Sequence, residues 1–146
     1  MQAKRLTRAF RVLVAALALA GCRTTNRYQG YDGGARATSE VVRLQLPEEV
    51  TLLRVDGAAP AMSVARLAGL PTELHLLPGP HRISVRYSVI WPISKDYHET
   101  VRSDPVVLEL DGQAGDVYTV SYEKPRRLRQ AKQFARDPVF ELVKTN

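Results

Sequence analysis

From His81 to Trp91 the chain alternates: Ile83, Val85, Tyr87, Val89 and Trp91 take every second position, with Arg82, Ser84, Arg86 and Ser88 between them. A helix would scatter that series around its circumference, whereas a strand places all of it on one face, because successive side chains of a strand point to opposite sides. A long half-buried strand needs neighbours and a second layer to cover its apolar face. The same period recurs along the chain. Val50 to Val55 leads into Asp56-Gly57, Glu73 to Leu77 into Pro78-Gly79-Pro80, and Val106, Leu108 and Leu110 into Asp111-Gly112; Tyr118, Val120 and Tyr122 follow Gly115-Asp116. Asp-Gly suits a hairpin turn that needs positive φ, and Pro-Gly suits a type II turn. Short strands at this spacing predict a mainly β chain, a small antiparallel β-sandwich. Pro92 is expected to end the long strand, since it has no N–H to give a ladder.

One segment departs from the period. In "KPRRLRQAKQFARDP" the residues Leu128, Ala131, Phe134 and Ala135 fall at helical spacing between Pro125 and Pro138, which predicts a short C-terminal amphipathic helix. Its polar side is basic: Arg126, Arg127, Arg129, Lys132 and Arg136, with no acid among them. Such a face is either plain solvated surface or a docking patch for anionic lipid, peptidoglycan carboxylates or an acidic protein. After it, "PVFELV" is expected to form a closing strand that covers a sheet edge.

The N-terminus is of a different kind. Lys4, Arg5, Arg8 and Arg11 precede the uninterrupted apolar run Val12 to Ala20, which ends at Gly21-Cys22. A membrane-spanning helix needs about 20 apolar residues, while a secretory signal needs a basic head, roughly 7–15 apolar residues and small residues at the cut. Residues 1–21 therefore form a signal peptide. Leu19-Ala20-Gly21-Cys22 resembles the lipobox of bacterial lipoproteins, which implies that Cys22 is acylated and begins the mature chain. It is the only cysteine, so it has no partner for an intramolecular disulfide. Lipid is thus expected to be covalent on Cys22, as palmitate or a related acyl chain, and no other cofactor is expected. Arg23 stands where lipoproteins kept in the inner membrane carry Asp, which by that resemblance sends the protein to the outer membrane, facing the periplasm.

Export also changes the reading of charge. The chain holds 21 Lys+Arg and 15 Asp+Glu, but four of the bases and no acid precede Cys22, so the net charge falls from +6 to +2 on processing. An exported chain of that charge has no call for nucleic acid as a partner. Residues 22–39, with Gly30, Gly33 and Gly34 and no apolar period, read as the lipidated cysteine and a flexible tether of roughly 20–25 Å. Residues 40–146 are left for one β-domain.

The order "VTLLRVDG", "ELHLLPGPHRISVRY", "DPVVLEL" and a helix leading to "DPVFELV" resembles the exported bacterial proteins of the DUF2057 family, which includes an inhibitor of curli synthesis. The resemblance runs from about Val42 to Val143, with Leu53-Arg54-Val55-Asp56-Gly57 and Leu77-Pro78-Gly79-Pro80-His81 as its most specific pieces. It implies an envelope location, and those pieces are turns that mark a fold, with no catalytic groups among them.

The sequence holds little that suggests enzyme chemistry. His75, His81 and His98 are the three histidines, and none stands at metal-ligand spacing from Cys22 or from a close carboxylate pair. His75 and His81 flank the Pro-Gly turn and could approach each other across it. No nucleophile, base and orienting group occur together, so neither a catalytic residue nor a metal ligand is assigned. The expected function is that of a non-enzymatic envelope lipoprotein whose β-domain binds an envelope or secreted protein through an edge strand or the basic helix. The alternative is a peptidoglycan or polysaccharide module, using Trp91 and Tyr97 beside the basic face.

Overall fold

The computed structural model describes residues 24–61 and 69–146. The signal peptide 1–21, the lipobox residues Leu19, Ala20 and Gly21, and Cys22 lie outside the described residues. In chain order the described elements are β1 (Asn26–Gln29), β2 (Val42–Leu46), β3 (Val50–Val55), β4 (Thr72–Leu76), β5 (Gly79–Pro92), β6 (His98–Arg102), β7 (Val106–Gly112), β8 (Val117–Ser121), α1 (Leu128–Arg136) and β9 (Glu141–Lys144).

The strands form two sheets. One runs β1-β4-β2-β8-β9. In the other, β5 is central: β3 pairs with one edge through Ile83 to Tyr87, and β7 and β6 lie end to end along the opposite edge. Alternation puts Val42, Leu44, Leu46, Leu74, Leu76 and Val120 of the first sheet against Val50, Leu52, Val55, Ile83, Val85, Leu108 and Leu110 of the second. This core makes the molecule a small β-sandwich, as the period-two pattern predicts. At its margin Gly112 has no room for a side chain, because a Cβ there would stand 2.7 Å from Val42 Cγ1.

Two features were not expected from the sequence. The first sheet is mixed, since β1 runs parallel to β4 and β2 parallel to β8. Alternation fixes which face is buried but carries no direction; the sense of each pair is set by the connections. The second is that residues 26–29, assigned to the tether, are β1. The open edge of β4 provides the ladder: the Asn26 N–H donates to the Pro71 carbonyl at 2.9 Å and the Gly30 N–H to that of His75 at 2.8 Å. Tyr28 packs against the core, so pairing and burial together offset the entropy of ordering this short segment. Beyond it, Gln29 Nε2 donates to the Tyr31 and Gly33 carbonyls at 2.9 and 2.8 Å, which folds the chain back toward β2.

The Asp56-Gly57, Pro78-Gly79 and Gly115-Asp116 turns lie where the sequence predicts them, but Asp111-Gly112 does not turn: both residues stay in β7, paired with Pro80 and Gly79, and the chain reverses only at Gln113–Asp116. Asp56 and Gly57 both have positive φ, 50° and 84°, closing a two-residue turn in which Val55 and Ala58 exchange both backbone hydrogen bonds at 2.9 Å. Asp56 also fixes the neighbouring hairpin, accepting from the Arg82 N–H at 2.8 Å and facing His81 Nδ1 at 2.6 Å.

Following the chain through the sheets gives the sandwich two distinct ends. The far end carries the Asp56-Gly57, Pro78-Gly79 and Gln113–Asp116 turns. The near end carries the start of β1, Leu70-Pro71, the β2–β3 connection and the segment from Ser121 through α1 to Phe140. β5 does not stop there. Tyr87 is level with Val50 at the start of β3, and Ser88 to Pro92 continue past it; beyond Ser88, whose N–H donates to the Glu49 carbonyl at 2.8 Å, they are paired only with β6. The result is a hairpin arm that projects from the near end.

Body and arm are separated by a register break. Val85 pairs with Val106 and Ser88 with Arg102, so Arg86 and Tyr87 face three residues, Ser103, Asp104 and Pro105. The extra residue is a β-bulge. Its backbone groups are satisfied locally: the Tyr87 N–H donates to Ser103 Oγ at 3.1 Å, and the Ser103 N–H to the Tyr87 carbonyl at 3.0 Å.

Candidate interaction surface

The inward face of the arm would be bare without α1. Tyr87, Val89 and Trp91 continue the apolar series of β5 beyond the sandwich core, and Leu128, Ala131, Phe134 and Ala135 of the helix pack against them. Ala131 is wholly buried at the contact, where a larger side chain would hold the helix off. Phe134 anchors the helix in an aromatic cluster, its ring centroid 5.0 Å from Tyr87, 5.4 Å from Tyr122 and 5.7 Å from Phe140. The edge-to-face geometries with Tyr87 and Phe140 are those that ring quadrupoles favour.

Charge does not account for the helix. Its N-cap, Arg127, makes no side-chain cap bond and the first turn has no acid. Arg126, Arg127 and Arg129 therefore gather at the end where the helix dipole disfavours cations, and only Arg136 lies at the favourable end. All five predicted basic residues are exposed. Lys132 is held at 2.6 Å by Glu99 of β6, a surface pair worth at most about 1 kcal/mol. Arg126, Arg127, Arg129 and Arg136 form no ion pair among the described residues. Arg129, Lys132 and Arg136, at i, i+3 and i+7, make one stripe along the helix.

On the other side of α1 lies an open groove of about 1030 Å³, lined by Glu123, Lys124, Pro125, Arg126, Gln130, Gln133, Phe134 and Asp137. A smaller hollow of about 460 Å³ shares Glu123 and Phe134 with it and continues past Tyr122 and Val139 to Glu141, the first residue of β9. β9 is paired on one side only, with β8, so the hollow runs to a free strand edge. Beneath the groove, Lys124 is ion-paired with the buried Glu49. Burial alone would raise the Glu49 carboxyl, but Lys124, the Glu49 backbone N–H and the Tyr122 hydroxyl dipole together outweigh it and hold the group below the usual carboxylate range. Tyr122 lies beside this pair, its hydroxyl buried without a hydrogen bond of acceptable geometry. Burial and the Glu49 charge push its pKa up, which keeps the phenol neutral.

The predicted aromatic pair is divided. Trp91 is taken into the cluster under α1, while Tyr97, at the tip of the arm, is 60% exposed. The two do not form a joint platform, because the helix covers the Trp91 face. The tip itself is closed by the Ile93 and Ser94 N–H groups, which donate to the Tyr97 carbonyl at 2.9 and 3.1 Å. His75 and His81 do not meet across the Pro-Gly turn. Each is drawn to its own carboxylate, His75 Nε2 lying 2.6 Å from Glu73 Oε1 and His81 Nδ1 2.6 Å from Asp56 Oδ2, and His81 Nε2 donates to the Leu77 carbonyl at 2.7 Å. No group of three or more His, Cys, Asp or Glu side chains placed to hold a metal occurs among the described residues.

The Glu49–Lys124–Tyr122 cluster and the exposed Ile90 and Ile93 were missed in the sequence. The two apolar residues sit in a run that looks like core, and only the register of the arm shows them turned outward or beyond cover. No described helix is long and apolar enough to cross a membrane. A family model described as "Uncharacterized protein conserved in bacteria (DUF2057)" matches residues 43–146. No curated protein and no solved structure matches the chain.

Proposed function

We propose that this chain, which belongs to the DUF2057 family of bacterial proteins, is a non-enzymatic outer-membrane lipoprotein, anchored through acylated Cys22, whose β-domain is an interaction module for an envelope or secreted protein. In that role it modulates the assembly of surface structures. The observation that carries the reading is the groove beside α1, continuous with the unpaired edge of β9. A groove lined by two bases, two acids and two amides, opening onto free backbone donors and acceptors, suits an extended segment of a partner that adds a strand to the sheet. Three arginines, Arg126, Arg127 and Arg129, placed without benefit to the helix or to an ion pair support the same reading.

The test is site-specific photo-crosslinking in cells. A crosslinking residue at Gln133 or Val139 is expected to give the same discrete protein adduct, and one at Gln113, on the far end, none. Adducts of equal yield at all three positions, or at none, would sink the proposal. A second reading, binding of peptidoglycan, is favoured by the polar lining of the groove, where Gln130 and Gln133 stand between charged groups. Retention of the purified protein on sacculi, lost in Gln130→Ala/Gln133→Ala, would replace the first reading with this one.

A further inference from the structure

The distance from the proposed anchor to the folded domain is set by β1. Three residues, Arg23 to Thr25, separate Cys22 from Asn26, the first residue of that strand. Four Cα steps of a fully extended chain span about 13–14 Å. The 20–25 Å reach expected of a free tether is therefore absent, because the residues that would supply it are spent on β1 and the loop after it.

The direction of departure matters as much as the length. β1 begins at the near end, its Asn26 level with Thr72 and, through β4, with Leu46. The arm leaves that same end. Tyr87 to Ile93 is six residue steps, about 20 Å at strand rise, measured from the level of Val50. A leash of about 14 Å cannot hold the near end toward a bilayer and also keep a 20 Å arm clear of it.

The side chains at this end agree with that geometry. Seven large apolar residues are exposed among the described residues, and five of them, Leu70, Ile90, Ile93, Tyr97 and Val139, are at the near end. Val139 belongs to the groove. Leu70 stands beside the point where the leash enters, and Ile93 and Tyr97, 47% and 60% exposed, form the arm tip. The Arg129, Lys132 and Arg136 stripe lies next to the arm, tied to it by the Lys132–Glu99 pair. Apolar and aromatic tips beside arginines match a bilayer interface, where Tyr settles at headgroup depth and each cation near an anionic surface contributes about 1 kcal/mol.

We infer that the near end rests on the membrane, with the Ile93–Tyr97 tip in the interface and the Arg129, Lys132 and Arg136 stripe against anionic headgroups, so that the far end is presented away from lipid. The inference rests on lipidation of Cys22, and the test separates the two. The full-length acylated protein is reconstituted in vesicles of phosphatidylethanolamine and phosphatidylglycerol at 3:1, carrying a nitroxide-labelled lipid as quencher. A fluorophore is attached at Tyr97→Cys or, on the far turn, at Ala114→Cys; an acylated Cys22 has no thiol to react.

Quenching at position 97 is expected to exceed that at 114 several-fold, and Arg129→Glu/Arg136→Glu is expected to cut the excess at least by half in these vesicles. Equal quenching at the two positions in protein that floats with the vesicles overturns the orientation and leaves the anchor standing. Protein that labels at Cys22 and fails to float overturns both. Quenching at 97 untouched by the double charge reversal overturns the role of the stripe.

Discussion

At the scale of single residues, Asp56 joins two hairpins. Its positive φ closes the turn after β3, and its carboxylate holds the Arg82 N–H and faces His81. Partial burial pushes the carboxyl up, but the Arg82 N–H and His81 outweigh it and keep the group below the usual carboxylate range. A carboxyl depressed in the folded state adds stability above its unfolded value of about 3.9, and that contribution is lost as pH falls through the lower folded value. Asn tolerates the same backbone conformation, so Asp56→Asn isolates the charge. The variant is expected to be less stable than wild type by about 1 kcal/mol at pH 7. The gap should close as pH drops below 4, in urea melts run at each pH; a gap independent of pH would show that the charge is not the cause. That Asp56-Gly57 forms a turn was legible in the dipeptide itself. That Asp56 also clamps His81 was not, because that contact depends on how β3 and β5 register.

At the scale of elements, the arm and α1 stabilise each other. β5 offers Tyr87, Val89 and Trp91 on a face no strand covers, and α1 has neither a side-chain N-cap nor an acid in its first turn. Phe134→Ala removes the ring shared by Tyr87, Tyr122 and Phe140. A wholly buried Phe costs about 3–5 kcal/mol on truncation, so this half-buried one is expected to cost about 2–3 kcal/mol, read from denaturant melts. The sequence announced the helix well, because Leu128, Ala131, Phe134 and Ala135 keep one spacing between two prolines. It also announced β3, β4, β5, β7 and β8, whose alternation comes from burial on one face. β1 was hidden for a physical reason: "NRYQ" has one apolar residue, Tyr28, and becomes a strand through the open edge of β4. Amide exchange should tell strand from tether. The N–H groups of Asn26 and Gly30, bonded to Pro71 and His75, are expected to exchange at least about tenfold more slowly than those of Gly33 to Ala35, which a free tether would not allow. That Trp91 is parted from Tyr97 was hidden for a similar reason, since its cover comes from a helix far along the chain.

At the scale of the whole molecule, the sandwich is polar in the geometric sense, with most of the exposed large apolar groups of the described residues and the basic helix at one end and tight turns at the other. If leash length sets the proposed orientation, lengthening it should abolish that orientation without touching the domain. A Gly-Ser insert of about 12 residues after Arg23 adds roughly 17–21 Å of r.m.s. reach. Quenching at Tyr97→Cys is then expected to fall toward that at Ala114→Cys, with the unfolding midpoint unchanged; retained quenching would mean that tip and stripe bind lipid strongly enough on their own. The proposed anchor rests on Leu19 to Cys22, which lie outside the described residues, while the basic face was legible from Arg126 to Arg136. The distance between them was not, because it depends on β1 docking in a sheet whose other members come later in the chain. That docking also decides how the domain carries mechanical load. β1 lies parallel to β4 over four residue pairs, Asn26 with Thr72 to Gln29 with His75, and its N-terminus is the end toward the proposed anchor. A pull between the bilayer and a bound partner runs along the strand, so the ladder is loaded in shear and its hydrogen bonds must yield together. Had the chain entered across the edge, the same bonds would unzip one at a time under far smaller forces.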